Sequence, residues 1–88
     1  MRLITNKYEL NYVDTYENGI MVDGFQVIIE GVYVDIEYSR ETNEIVSLGA
    51  MNDENEDVCE DTKERAIDLV QYMSFEIRTA CKFLLDIM

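Results

Sequence analysis

Two hydrophobic rhythms run along this chain, and they change over near residue 50. Before it, apolar and polar residues alternate, the period of a half-buried strand; from residue 62 onward apolar residues recur every three or four positions, the period of a helix with one buried stripe. Turn signals divide the alternating half. Asn18-Gly19 suits a type I′ turn, which needs positive φ at both central positions. Closing the strands on it sets Glu17 against Ile20, Tyr12 against Phe25, Leu10 against Val27 and Tyr8 against Ile29, with the apolar residues on one face. The same register sets Asp14 against Asp23 on that face. The conflict resolves if this end projects past the core, or if Asp23-Gly24 forms a bulge.

Glu30-Gly31 is the second turn, pairing Ile29 with Val32, Val27 with Val34 and Phe25 with Ile36. The third turn lies in Arg40-Glu41-Thr42-Asn43. A three-residue loop, Glu41-Thr42-Asn43, with Asn43 left-handed, pairs Tyr38 with Val46, Ile36 with Leu48 and Val34 with Ala50. A four-residue loop would turn Ile45, Ser47 and Gly49 inward, a poorer core, so the three-residue loop is expected. The outer face then carries Glu9, Asn11, Gln26, Ile28, Glu30, Tyr33, Asp35 and Glu37.

In the second half, Asp61 or Thr62 can cap a helix, and Asp61-Thr62-Lys63-Glu64 reads as a capping box with Asp61 at the cap. The stripe is Ala66, Val70, Met73, Ile77, Ala80, Leu84 and Met88, flanked by Leu69, Cys81 and Ile87. No glycine or proline interrupts Thr62 to Met88, so one helix over 62–88 is predicted, roughly 40 Å long. The expected fold is α+β: a four-stranded antiparallel β-meander over 2–50, an acidic loop over 51–61, and one long C-terminal α-helix packed on the sheet (ββββα). All of it forms a single domain, 1–88.

Charge sharpens this picture. Nineteen acids stand against seven bases, a net −12 with no histidine, and half of that net charge lies in residues 51–61. Phosphates would repel such a surface, which argues against direct binding to nucleic acid or an anionic membrane and fits a basic protein partner or a cation. No apolar run approaches the ~20 residues of a membrane span, and the N-terminus has no signal-peptide pattern. A cytoplasmic setting with Cys59 and Cys81 as thiols is expected.

Candidate chemistry is sparse. Without histidine, general-base and nucleophilic roles lose their usual partner, and no glycine-rich phosphate loop is present, so neither an enzyme nor a cofactor is expected. Asp53, Asn55, Asp57, Asp61 and Glu64 fall at positions 1, 3, 5, 9 and 12 of a pattern that resembles the calcium-binding EF-hand loop over twelve residues. Val58 stands where that loop has glycine and Glu60 where it has an aliphatic residue, and a strand precedes it instead of a helix. Tyr72, Phe75 and Phe83 form an aromatic ridge away from the buried stripe, suited to a homodimer or to anchoring a partner. Taken together, the carboxylates Asp53, Glu54, Glu56, Asp57, Glu60 and Asp61 on the loop with Glu30, Asp35 and Glu37 on the sheet can stand in for phosphates in the groove of a basic, nucleic-acid-handling protein.

By size, charge and compact α+β pattern over its whole length, the chain resembles small phage-encoded inhibitors of the anti-CRISPR and anti-restriction DNA-mimic class. No motif aligns, so no functional residue carries over from the resemblance. It implies a non-enzymatic inhibitor of a host defence nuclease complex, acting in the host cytoplasm. Colicin-type immunity proteins, which neutralise a toxin, share the profile and are the alternative; a calcium-binding module through residues 53–64 is the second.

Overall fold

The alternating half of the chain forms an antiparallel meander, as its pattern requires, but with five strands instead of four. A computed structural model describes residues 1–18 and 20–88. The strands are β1 (Arg2–Ile4), β2 (Glu9–Asn18), β3 (Ile20–Ile29), β4 (Val32–Ser39) and β5 (Glu44–Gly49), side by side in chain order. A single 3-10 turn follows at Asp53–Asn55, then two helices, α1 (Glu60–Tyr72) and α2 (Ser74–Ile87), where one was expected.

The extra strand is β1. Thr5 reverses the chain after it: its N–H donates to the Tyr8 carbonyl (2.9 Å), and its hydroxyl oxygen accepts from the Lys7 and Tyr8 N–H groups. Leu3 then stands opposite Leu10 and packs on the core. Three residues are too few for alternation to be seen in sequence.

Between β2 and β3 the expected pairs Tyr12–Phe25 and Leu10–Val27 form. Tyr8 lies just before the ladder and is buried in the core. The Asp14–Asp23 conflict is relieved by a bulge, placed on β2 between Tyr12 and Asp14 and not at Asp23-Gly24. The extra residue, Val13, moves Asp14 opposite Gly24 and brings Thr15 opposite Asp23. Carboxylate repulsion is thereby exchanged for a hydrogen bond from the Thr15 hydroxyl to Asp23 Oδ1 (2.8 Å). Beyond the bulge Glu17 faces Met21, not Ile20. The Asn18-Gly19 turn itself includes Gly19, which lies outside the described residues. Gly24 has to be glycine for Tyr16 to lie across it, since a Cβ there would come within 2.5 Å of the ring.

The β3–β4 register is the predicted one throughout: Ile29–Val32, Val27–Val34 and Phe25–Ile36. Glu30 (φ 49°) and Gly31 (φ 79°) both adopt positive φ, as a type I′ turn demands. Between β4 and β5 the loop has four residues, Arg40 to Asn43, with Asn43 left-handed at φ 57° as expected. Ser39 pairs with Glu44 and Tyr38 with Ile45, not Val46. A bulge at Val46 then restores the predicted Ile36–Leu48 pair. The apolar side chains Ile45 and Leu48 therefore both reach the core, while Val46 is exposed.

A straight helix of roughly 40 Å would overshoot the molecule, whose longest dimension is 34 Å. The helix is interrupted at Met73 (φ −96°, ψ 19°), where Met73 N–H still reaches the Leu69 carbonyl and Ile77 N–H the Met73 carbonyl, both at 2.9 Å. Ser74, a weak helix former, opens the second half. Each half then buries its own part of the stripe, Ala66 and Val70 from α1, and Ile77, Ala80, Cys81 and Leu84 from α2. Met88 and Ile87, counted on the stripe, are exposed. At the start of α1 the cap is Cys59 and not Asp61; Asp61 sits with Glu60 in the first turn, where the helix dipole favours acids.

Against the helices the sheet presents Leu10, Phe25, Val27, Ile29, Val34 and Ile36, each worth about 1.5–3 kcal/mol when buried. Phe25 lies edge-on between Tyr12 (5.4 Å) and Tyr38 (6.3 Å). Burial pushes the Cys81 thiol up to about 12, helped by the nearby Asp23 charge, so it is a neutral core residue. Both cysteines are free. No helix of the described residues is long and apolar enough to cross a membrane.

Among the described residues Asp23 is the one buried carboxylate. Its side chain has no exposed surface, and it accepts from Arg40 Nε (2.7 Å) and Nη2 (3.1 Å) as well as from Thr15. Burial alone would raise its pKa, but the Arg40 and Thr15 hydrogen bonds and the Arg40 charge outweigh burial and hold it below the usual range. Its contribution to stability is therefore present above the unfolded carboxylate value of about 3.9 and is lost as pH falls through the lower folded one. Arg40→Ala leaves the carboxylate buried without a cation. We expect a loss of about 2–3 kcal/mol at pH 7 by urea denaturation, between the figures for surface and buried pairs. The gap between variant and wild type should narrow as pH falls towards the lowered folded value of Asp23, because the variant's uncompensated carboxylate takes up its proton first.

Candidate acidic interface

The acidic loop is fixed to the sheet through an amide and not through its charges. β5 stops at Gly49, opposite Asp35, so the first residues of β4 have no strand beside them on that edge. The Asn55 side chain takes the missing place. Its Oδ1 accepts from the Tyr33 N–H (2.9 Å), and its Nδ2 donates to the Tyr33 carbonyl (2.7 Å) and to the Ala50 carbonyl (2.9 Å). An amide side chain offers the same donor and acceptor as a peptide group, so Asn55 imitates a strand partner for one residue. It is fully buried. Asn52 adds a second tie: its Nδ2 donates to the Tyr33 carbonyl and to Asp35 Oδ2, both at 3.1 Å, while its Oδ1 caps the 3-10 turn by accepting from Glu54 N–H (2.9 Å). Neither asparagine was read from sequence as structural. The signal was there in the two amides that interrupt a run of carboxylates.

This docking brings part of the predicted site together. Asp53 and Glu54 lie on the 3-10 turn, Glu56 and Asp57 directly after it, and Asn52 links them to Asp35, with Glu37 next on the same face of β4. All are exposed. Glu60 and Asp61 continue the acidic run into α1. Glu30, in the turn before β4, is bridged to Arg65 (3.5 Å), and Glu60 is bridged to Lys63 (3.4 Å).

The bases are disposed in a way that sequence counts do not reveal. Arg2, Lys7, Arg40, Lys63, Arg65 and Lys82 each lie within 4.0 Å of a carboxylate, respectively Glu9, Glu76, Asp23, Glu60, Glu30 and Asp86. The seventh, Arg78, lies over the Phe75 ring at 4.8 Å. Among the described residues no base comes within 4.0 Å of Asp35, Glu37, Asp53, Glu54, Glu56, Asp57 or Asp61. Exposed pairs contribute little to stability. Their effect here is on the field: most of the positive charge is paired away from the loop, and although Lys63 lines a hollow with Asp53 and Glu56, the loop and the outer side of β4 are predominantly negative.

The calcium pattern does not assemble. Asn55, which would offer its oxygen to the ion, points inward and spends that oxygen on Tyr33. Among the described residues no three His, Cys, Asp or Glu side chains are grouped so as to hold a metal ion. The aromatic ridge is exposed, but the interruption at Met73 divides it. Tyr72 (89% exposed) ends α1, whereas Phe75 (70%) and Phe83 (52%) belong to α2.

Replacing Asn55 tests the lock directly. Asn55→Ala strands the buried Tyr33 N–H, and we expect about 2–3 kcal/mol of destabilisation with faster hydrogen exchange at Tyr33. Asn55→Asp adds a negative charge but removes the donor, and should behave like the alanine variant. Equal stability of wild type and Asn55→Asp would show that the amide is not what holds the loop.

Comparison of the chain with family models, with curated proteins and with solved structures finds no match to any of them.

Proposed function

We propose that this protein acts by binding, without catalysis, as an inhibitor of a basic, nucleic-acid-handling protein, and that its acids take the place of phosphates. The reading extends to a defence nuclease complex of the restriction or CRISPR kind. The observation that carries it is the set of unpaired carboxylates Asp53, Glu54, Glu56 and Asp57 on a loop pinned by Asn55 beside Asp35 and Glu37. A partner built to neutralise a polyanion gains from charges held in place, because little ordering remains to be done on binding. Along β4, alternate residues repeat at about 6.8 Å, about two nucleotide rises along a DNA strand.

The exposed Tyr72, Phe75 and Phe83 favour a second reading, neutralisation of a cognate toxin in the manner of an immunity protein, with the aromatics as anchors. Salt separates the two. Phosphate-like binding weakens steeply between about 50 and 200 mM salt, whereas aromatic anchoring does not.

The test is inhibition of DNA cleavage by purified restriction and RNA-guided nucleases. Wild type should inhibit one of them in a salt-sensitive way, and Asp53→Asn/Glu54→Gln/Glu56→Gln/Asp57→Asn should lose at least about tenfold in potency, or about 1.4 kcal/mol, with its unfolding midpoint unchanged. Full potency in the neutralised variant, or no inhibition by wild type of any nuclease, would refute the proposal.

A further inference from the structure

The sheet has two open edges, and they are not equivalent. β1 is three residues long; β5 is six, Glu44 to Gly49, and ends the strand order. Among the described residues no backbone group outside β4 hydrogen-bonds to β5. Open edges are normally guarded by lysine, proline or a bulge. β5 has neither lysine nor proline, and its single bulge, at Val46, leaves Ser47 to Gly49 in regular register with Glu37 to Asp35.

Both flanks of this edge are concave, and they differ in chemistry. On the helix side Glu44, Ile45, Ser74, Phe75 and Arg78 line an open cleft of about 310 Å³ in which the Phe75 ring is largely exposed. On the outer side Asp35, Glu37, Ser47, Leu48, Gly49 and Met51 line another of about 220 Å³. There the two carboxylates have no base within 4.0 Å. A Cβ on Gly49 would meet nothing within 4 Å, and Ser47 is short. Lysine or arginine stems from a strand one spacing further out, about 4.8 Å, can therefore lie across β5 to reach Asp35 and Glu37.

Resting on the basic-partner reading above, we infer that β5 receives an extended segment of that partner as a sixth strand, with Lys or Arg on its outward residues and apolar side chains on the alternate, helix-facing ones. Backbone pairing supplies register, which charge alone does not, and the two unlike flanks select the alternation. A second copy of this chain fits worse, since its −12 charge would be brought against the same acids.

Two synthetic peptides of about eight residues, with the same lysine and valine content, make the test: one alternates the two residues and one places them in blocks. The alternating peptide should bind at least about tenfold tighter by calorimetry and protect Val46 to Gly49 amides from hydrogen exchange. Ser47→Lys/Gly49→Lys, which guards the edge and reverses the local charge, should lose that binding with an unchanged unfolding midpoint. Equal affinity for both peptides, no binding of either, or binding without β5 protection overturns the inference. So does β5 protection that grows with protein concentration in the absence of peptide, which would make the occupant a second copy. In the nuclease assay the outcomes stay separate: full inhibition by Ser47→Lys/Gly49→Lys sinks the edge alone, whereas failure of wild type to inhibit sinks the function it rests on.

Discussion

The contact on which this molecule turns is the Asn55 side chain bonded to both polar groups of the Tyr33 backbone. An eleven-residue stretch with six acids and no base has every electrostatic reason to swing free and extended. Hydrogen bonding opposes this because the Tyr33 N–H and carbonyl, left unpaired where β5 stops, would each be costly to bury. A neutral amide resolves both problems, satisfying the strand without bringing a charge inside. The position of every carboxylate from Asp53 to Asp57 relative to Asp35 and Glu37 follows from that bond and from Asn52 beside it.

The same economy governs the buried charge of Asp23. Asp23 is tolerated because the Val13 bulge delivers Thr15 to it and Arg40 closes over it with two hydrogen bonds. The two bulges do related work. Each inserts one residue where strict alternation would have put the wrong side chain against the core, Asp14 on β2 and Ser47 on β5. After the bulge on β5, Leu48 packs on the core; after the one on β2, Thr15 meets Asp23.

Much of this was legible in the sequence. The β3–β4 hairpin came out residue for residue, because Glu30-Gly31 fixes a turn type and alternation leaves one workable register. The inner halves of the neighbouring pairings came out as well. Missed were features that carry no periodic signal: a three-residue strand, the bulge positions, and a helix interruption with no glycine or proline. Two of these left traces. The Asp14–Asp23 clash marked a break in register, though not which strand would bear it. A helix of roughly 40 Å was too long for so small a protein. The acids were read correctly as exposed, but what distinguishes them is the company of the bases, and the pairing of Lys7, Arg40 and Arg65 with distant carboxylates is a property of the folded chain alone.

The meander has a kinetic corollary. Each strand pairs with its neighbour in sequence, so the sheet can grow by closing short loops, which is entropically cheap and fast. The distant closures are those between Asn55 and Tyr33, 22 positions apart, and the return of α2 onto β1. Closing over such spans yields its reward only after the strands already exist. The zipped ladder therefore comes first and the anionic relief last, so that a chain halted midway would possess all of its charge and none of its pattern.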